Sequence, residues 1–169
     1  MTVDRKTRDL MEAACKAASR SFLAKGGASP IMAFCLVESK AGTRTVIGIP
    51  SMPEGAGKDA VDAFLRYEMA KLDAARYAFV TEAWFVTAAG LSPGEAADQH
   101  RRCEREGVRA QPDRIEIVMV SGQDLGGGQA MLYRQILRPE RGRAALGEAK
   151  WQQTEDYVGR FAGMMGRSS

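Results

Sequence analysis

Apolar positions along this chain follow two periods. Between residues 4 and 25, Leu10, Met11, Ala14, Cys15, Ala18 and Phe22 recur at three- and four-residue steps. That spacing predicts a helix with one apolar stripe. Gly26-Gly27 then stops it, because glycine takes the left-handed terminal conformation without strain. From Pro30 to Glu38 the residues Ile31, Ala33, Cys35 and Val37 alternate with Met32, Phe34 and Leu36. Apolar residues on both faces predict a central strand. Lys40-Ala41-Gly42 reads as a turn, and Thr43 to Ile49 returns as a β-branched strand, which completes a hairpin. Pro50 to Gly57 is a loop, and Lys58 to Ala74 reads as a second helix with Val61, Phe64, Leu65 and Leu72 on its inner side.

The third strand, Arg76 to Val86, is rich in aromatic and β-branched residues yet carries Glu82 at its centre. Residues 87–112 are too long for a plain connection and read as a surface insertion. Within them Ser92-Pro93-Gly94-Glu95 has the form of a capping box with proline at the first helical position. It predicts a short polar helix through about Glu106, with little to bury and expected to be mobile. Arg114 to Ser121 is a fourth strand. Gly122 to Gly128 reads as a flexible hairpin loop, and Gln129 to Leu137 as a fifth strand ended by Pro139. The tail from Arg143 has helical propensity, with Leu146, Tyr157, Val158, Phe161 and Met165 as packing residues.

The predicted order is α-β-β-α-β-(short α)-β-β-α over a single domain, residues 1–169. It implies a two-layer α+β fold with a mostly antiparallel five-stranded sheet, packed by N-terminal, central and C-terminal helices. The same coarse order occurs in profilin-like and Roadblock-like domains, an analogy of architecture without a shared sequence motif. The chain has 169 residues, enough to bury a core without metals or disulfides. A net charge of +3 is too small to imply a nucleic acid or an anionic membrane by itself. The mixed-sign start, Met1 to Asp9, does not read as a secretory signal, and no apolar run is long enough to span a bilayer. The cysteines Cys15, Cys35 and Cys103 are odd in number and sparse, which fits a reducing cytoplasm rather than a disulfide framework.

Candidate chemistry centres on Glu82. A carboxylate among apolar neighbours needs a partner, a proton or water. Glu82, Asp113 and Glu116 could gather on neighbouring strands and serve metal-assisted hydrolysis or general acid–base work. The simpler expectation is cross-strand pairing of Glu82 or Glu116 with Arg114 or Arg134. Glu82→Gln is then expected to destabilise the fold. Gly55-Ala56-Gly57-Lys58 resembles a phosphate loop only superficially, since Met52 and Asp59 stand where a glycine and a magnesium-binding hydroxyl are needed. His100 and Cys103 are three residues apart on the short helix, but two ligands do not make a zinc site. No metal or cofactor is expected.

Arg101, Arg102, Arg105 and Arg109 cluster in the insertion, and Arg134, Arg138, Arg141 and Arg143 form a second group. Either could meet phosphates, although Glu104, Glu106 and Glu140 dilute both. Trp84 belongs to the densest aromatic patch and becomes an interface anchor if it is exposed. These features favour a small cytoplasmic protein-interaction or adaptor domain without catalysis, self-associating through a sheet edge or the terminal helices. Its interaction residues would be Trp84, Arg101, Arg102 and Arg105. A metal-assisted hydrolase and a weak nucleic-acid binder are the alternatives.

Overall fold

Residues 2–27, 30–51 and 57–153 are described by the computed structural model. Helix α1 (Arg5–Ala24) begins at Asp4, whose side chain accepts a hydrogen bond from the Thr7 amide at 2.7 Å. That contact satisfies one of the otherwise unpaired amides of the first turn. The hairpin β1 (Ala33–Ser39) and β2 (Arg44–Ile49) follows. Next come α2 (Gly57–Lys71), β3 (Ala74–Phe85) and α3 (Pro93–Glu106), with a single 3-10 turn at Val108–Ala110. The long hairpin β4 (Ile115–Asp124) and β5 (Gln129–Leu137) leads to the short strands β6 (Ala145–Leu146) and β7 (Lys150–Gln153). Every strand pairing among the described residues is antiparallel, in the order β2-β1-β3-β4-β5. Both β6 and β7 occupy the remaining side of β5, at Ile136–Leu137 and Ala130–Tyr133.

The α+β class and the helix–hairpin–helix–strand order agree with the sequence pattern, but three expectations need correction. The sheet has seven strands among the described residues rather than five. The helix expected from Arg143 gives way to β6 and β7, because β5 would otherwise leave its outer backbone groups unpaired, and strand pairing overrides local propensity. Tyr157, Val158, Phe161 and Met165 lie outside the described residues. Finally, the helices do not share one layer. Leu10, Met11, Ala14 and Phe22 of α1 pack on Ala78, Val80, Val118, Val120 and Leu132. Leu65 and Met69 of α2 pack on Cys35, Val37, Tyr77 and Phe79. Those strand residues alternate in sequence, so the two helices cover opposite faces of the sheet. A strand that is apolar on both faces requires cover on both.

Alpha1 lies close against the sheet because the sheet is shallow beneath it. Ala78, Gly122 and Ala130 are cross-strand neighbours on β3, β4 and β5. A Cβ on Gly122 would fall 2.4 Å from the Met11 sulfur. The start of α1 is fixed by polar contacts. Asp124, nearly buried at the end of β4, accepts hydrogen bonds from the Asp4 and Gly128 amides at 2.9 and 3.0 Å. Arg76 of β3 reaches Thr7 Oγ1 at 3.2 Å and pairs with Asp4 and Glu38. No helix among the described residues is long and apolar enough to cross a membrane.

Candidate functional site

Two of the three carboxylates singled out in the sequence meet at one end of the sheet. Trp84 lies directly across from Glu116, so Glu82 and Glu116 are diagonal neighbours on the face that α1 covers. Arg138, just beyond β5, grips Glu116 through two parallel hydrogen bonds of 2.7 and 2.8 Å. Its remaining nitrogen donates to the Gly27 carbonyl at 2.8 Å, and its guanidinium lies 5.9 Å from the Phe22 ring centre. Glu82 Oε1 accepts the Ile31 amide at 2.9 Å. The cluster therefore holds the connection from α1 to β1 against β3 and β4.

The cross-strand pairs expected from sequence are replaced by other contacts. Glu116 takes Arg138, not Arg114 or Arg134. Arg134 donates to the Gly147 carbonyl at 2.7 Å and to Ser19 Oγ at 3.1 Å. Arg114 bonds the Gln111 carbonyl at 2.9 Å and stacks 5.1 Å from the Trp84 ring centre. Arginine reaches the length of its side chain, so strand register alone does not choose its partner.

Burial pushes the Glu82 carboxyl above its ordinary range. The Ile31 amide opposes that shift, Glu116 adds to it, and Arg138 opposes it. A raised folded pKa means the protonated form favours the fold. That contribution is complete below the ordinary glutamate range and is lost as pH rises through the folded pKa. The destabilisation expected of Glu82→Gln is therefore revised. Glutamine keeps an acceptor for Ile31 and removes the charge, so Glu82→Gln should hold or raise the melting temperature at pH 7. Glu82→Ala strands the Ile31 amide and should cost about 1–2 kcal/mol. Thermal melts of both variants at pH 4 and pH 7 check this, with the gap between wild type and Glu82→Gln closing at pH 4.

Asp113 stands apart from the pair. It accepts a hydrogen bond from Gln99 of α3 at 3.3 Å, and the same amide nitrogen reaches the Thr87 carbonyl at 3.3 Å. Glu82, Asp113 and Glu116 thus do not form one set. Among the described residues no group of three histidine, cysteine, aspartate or glutamate side chains is placed to hold a metal ion. The Gly55-Ala56 part of the glycine–lysine loop lies outside the described residues.

Helix α3 has the full capping box between Ser92 and Glu95. It does not simply lie on the surface. Gln99 and Gln111 are 5% and 2% exposed, and Gln111 donates to the Gly107 carbonyl at 3.1 Å. Polar side chains anchor the helix where an apolar stripe is missing, which a hydropathy pattern does not reveal. A pocket of about 630 Å³ separates α3 from the sheet, lined in part by Ala96, His100, Cys103, Val108 and Tyr133. His100 is exposed and pairs with Glu104 at 3.2 Å. Burial, with Asp113 nearby, pushes the Cys103 thiol up. Arg101 pairs with Asp98, and Arg105 pairs with Glu106 at 2.6 Å. Arg102 is exposed beside them. Much of the arginine charge of this insertion is balanced on the helix itself.

Exposed apolar surface gathers elsewhere. Trp84 is 40% exposed, as the anchor reading requires, but Arg114 already covers its ring. Larger exposure belongs to Tyr67 at 66% and Val46 at 64%, with Phe64 at 47%. Phe64, expected on the inner side of α2, faces out. Ala60, Ala63, Phe64, Tyr67 and Ala70 are all exposed and form a second apolar stripe, opposite Leu65 and Met69. Strand β2, which bears Val46, is the end of the sheet and pairs only with β1 among the described residues. The helical spacing of Phe64 and Tyr67 among alanines is the sequence signal for this surface, and the nearby Val61 and Leu65 of the inner side obscure it. The chain matches no family model, no curated protein and no solved structure.

Proposed function

We propose that this chain is a small protein-interaction domain without catalysis, working in the cytoplasm. The observations that carry the proposal are the exposed outer stripe of α2 and the end strand β2, which pairs only with β1 among the described residues. Unpaired strand edges and exposed apolar stripes are ordinary means of binding other chains. The commitment of Glu82, Glu116 and Arg138 to the α1–β1 connection weighs against the metal-assisted hydrolase. The free thiols Cys15, Cys35 and Cys103 suit a reducing compartment.

The test is affinity capture from native-host lysate, with and without nuclease, comparing wild type with Phe64→Glu/Tyr67→Glu. Capture of a protein that survives nuclease and is lost in the double variant supports an interaction domain. Capture that disappears with nuclease and depends on Arg101 and Arg102 would move nucleic-acid binding ahead. A rise in melting temperature with magnesium or manganese, absent in Glu116→Gln, would favour the hydrolase.

A further inference from the structure

We infer that the groove between α1 and the paired strands β5 and β7 binds a single-chain anionic amphiphile, a linear hydrocarbon chain that ends in a carboxylate. Helix α1 packs on β3, β4 and Leu132 of β5, but it does not close over the end of the sheet that β5 and β7 form. A groove of about 400 Å³ stays open along its flank, within the usual range for small-molecule sites. Glu12, Cys15, Ser19 and Leu23 line it at three- and four-residue steps, so it follows the helix for about three turns. That shape is long rather than round. Leu132 and Trp151, directly opposite each other on β5 and β7, form its floor.

The groove is apolar within and basic at its rim. Lys16 and Arg20 stand exposed on the α1 side, and Arg134 enters from β5. Three cations on the lining thus stand against one carboxylate, Glu12, which lies about two turns of α1 before Arg20. Arg134 donates to the Gly147 carbonyl at 2.7 Å and to Ser19 Oγ at 3.1 Å, and it reaches the Leu146 carbonyl only at 3.5 Å. All three acceptors are neutral, so they leave its charge uncompensated and part of its donor fork available. A guanidinium fork matches a carboxylate.

These positions orient the ligand. Its head sits at Arg134 and Arg20. Its chain runs from there over Leu132 toward Trp151, whose ring is held by the Arg8 guanidinium at 4.7 Å from the ring centre. Cys15 beside the chain is buried, and burial pushes its thiol up, which keeps that wall uncharged. The groove is built from α1, β5 and β7, whereas the interaction reading rests on α2 and β2, so either can fail alone.

The test uses the full chain with Trp84→Phe, which leaves Trp151 as its only indole. The probe is a terminally brominated undecanoate, because bromine quenches a nearby indole. Saturable quenching of Trp151 is the expected result. Calorimetric titration with octanoate, decanoate and dodecanoate, each below its micelle concentration, should show affinity rising about fourfold per added methylene. Lys16→Glu/Arg20→Glu should weaken decanoate binding by about tenfold or more, with an unchanged melting temperature, and decanol should bind wild type more weakly by a similar factor. Absence of saturable quenching, or an affinity indifferent to the charge reversal, overturns the inference. Acetate binding as tightly as decanoate would also overturn it and leave a plain anion site. Quenching confined to brominated chains in anionic vesicles would overturn it in favour of a membrane surface.

Discussion

Gly122→Val should lower the stability of this domain by about 3 kcal/mol or more, the high end for overpacked cores. The melting temperature should fall on the order of 10 °C. A Cβ at this position would lie 2.4 and 2.7 Å from the Met11 Sδ and Cγ atoms, and 3.1 Å from the Tyr77 carbonyl oxygen. Met11 is fully buried and hemmed in by the α1 core, so it cannot swing into solvent. Tyr77 contributes backbone, which can yield only if β3 shifts. Gly122→Ala should show the same effect more mildly. Shortening Met11 makes room, so Met11→Ala combined with Gly122→Ala should be less destabilised than the sum of the two single changes. Additivity in that double-mutant cycle would mean that the α1–β4 approach is looser than described.

Arg76→Met should cost about 2 kcal/mol at neutral pH and flatten the loss of stability in acid. The Arg76 and Glu38 side chains are each only 12% exposed, so their pairing is shielded from water. The loss is moderated because Arg44 continues to hold Glu38 from the exposed side. Arg44, then Arg76, hold the Glu38 carboxyl below its ordinary range, against the cost of burial. For Asp4, burial works the other way, but Thr7 and Arg76 outweigh it and leave the carboxyl lowered. Depressed folded pKa values contribute stability that is present above the ordinary carboxylate range and lost as pH falls through the folded values. Wild type should therefore lose stability as pH falls below about 4.5, the ordinary glutamate value, and Arg76→Met should show a flatter decline over the same interval. Urea midpoints from pH 2 to pH 7 measure both effects. Parallel curves for the two proteins would remove Arg76 from this role.

Gly122 also shows where sequence reasoning reached its limit. Next to Gln123, Asp124 and the later glycines it reads as the start of a flexible loop, yet it belongs to β4. Its value lies in the partner that crosses above it, and α1 is about a hundred residues away in the chain. The helices and strands with strong periodicity, such as α1 and β5, were legible because their neighbours are set by burial on one stripe or on alternating faces. The two-sided cover of the sheet was implicit in the apolar faces of β1, but the assignment of α1 and α2 to opposite sides required the topology. At the sheet end, Glu82 was visible as an anomaly in an apolar strand. Its partner, a backbone amide at Ile31, carries no sequence signal. Arg138 was one of several arginines, and only its reach across to Glu116 and Gly27 distinguishes it.

Amide hydrogen exchange, followed residue by residue with and without the protein captured from lysate, tests most directly whether the β2 edge is the working surface. If β2 is where another chain binds, its amides between Arg44 and Ile49 should slow by about tenfold or more in the complex. Val46→Lys should return them to rapid exchange. Unchanged exchange in β2, with protection in the complex confined to α3 or to the sheet end around Trp84, would contradict it.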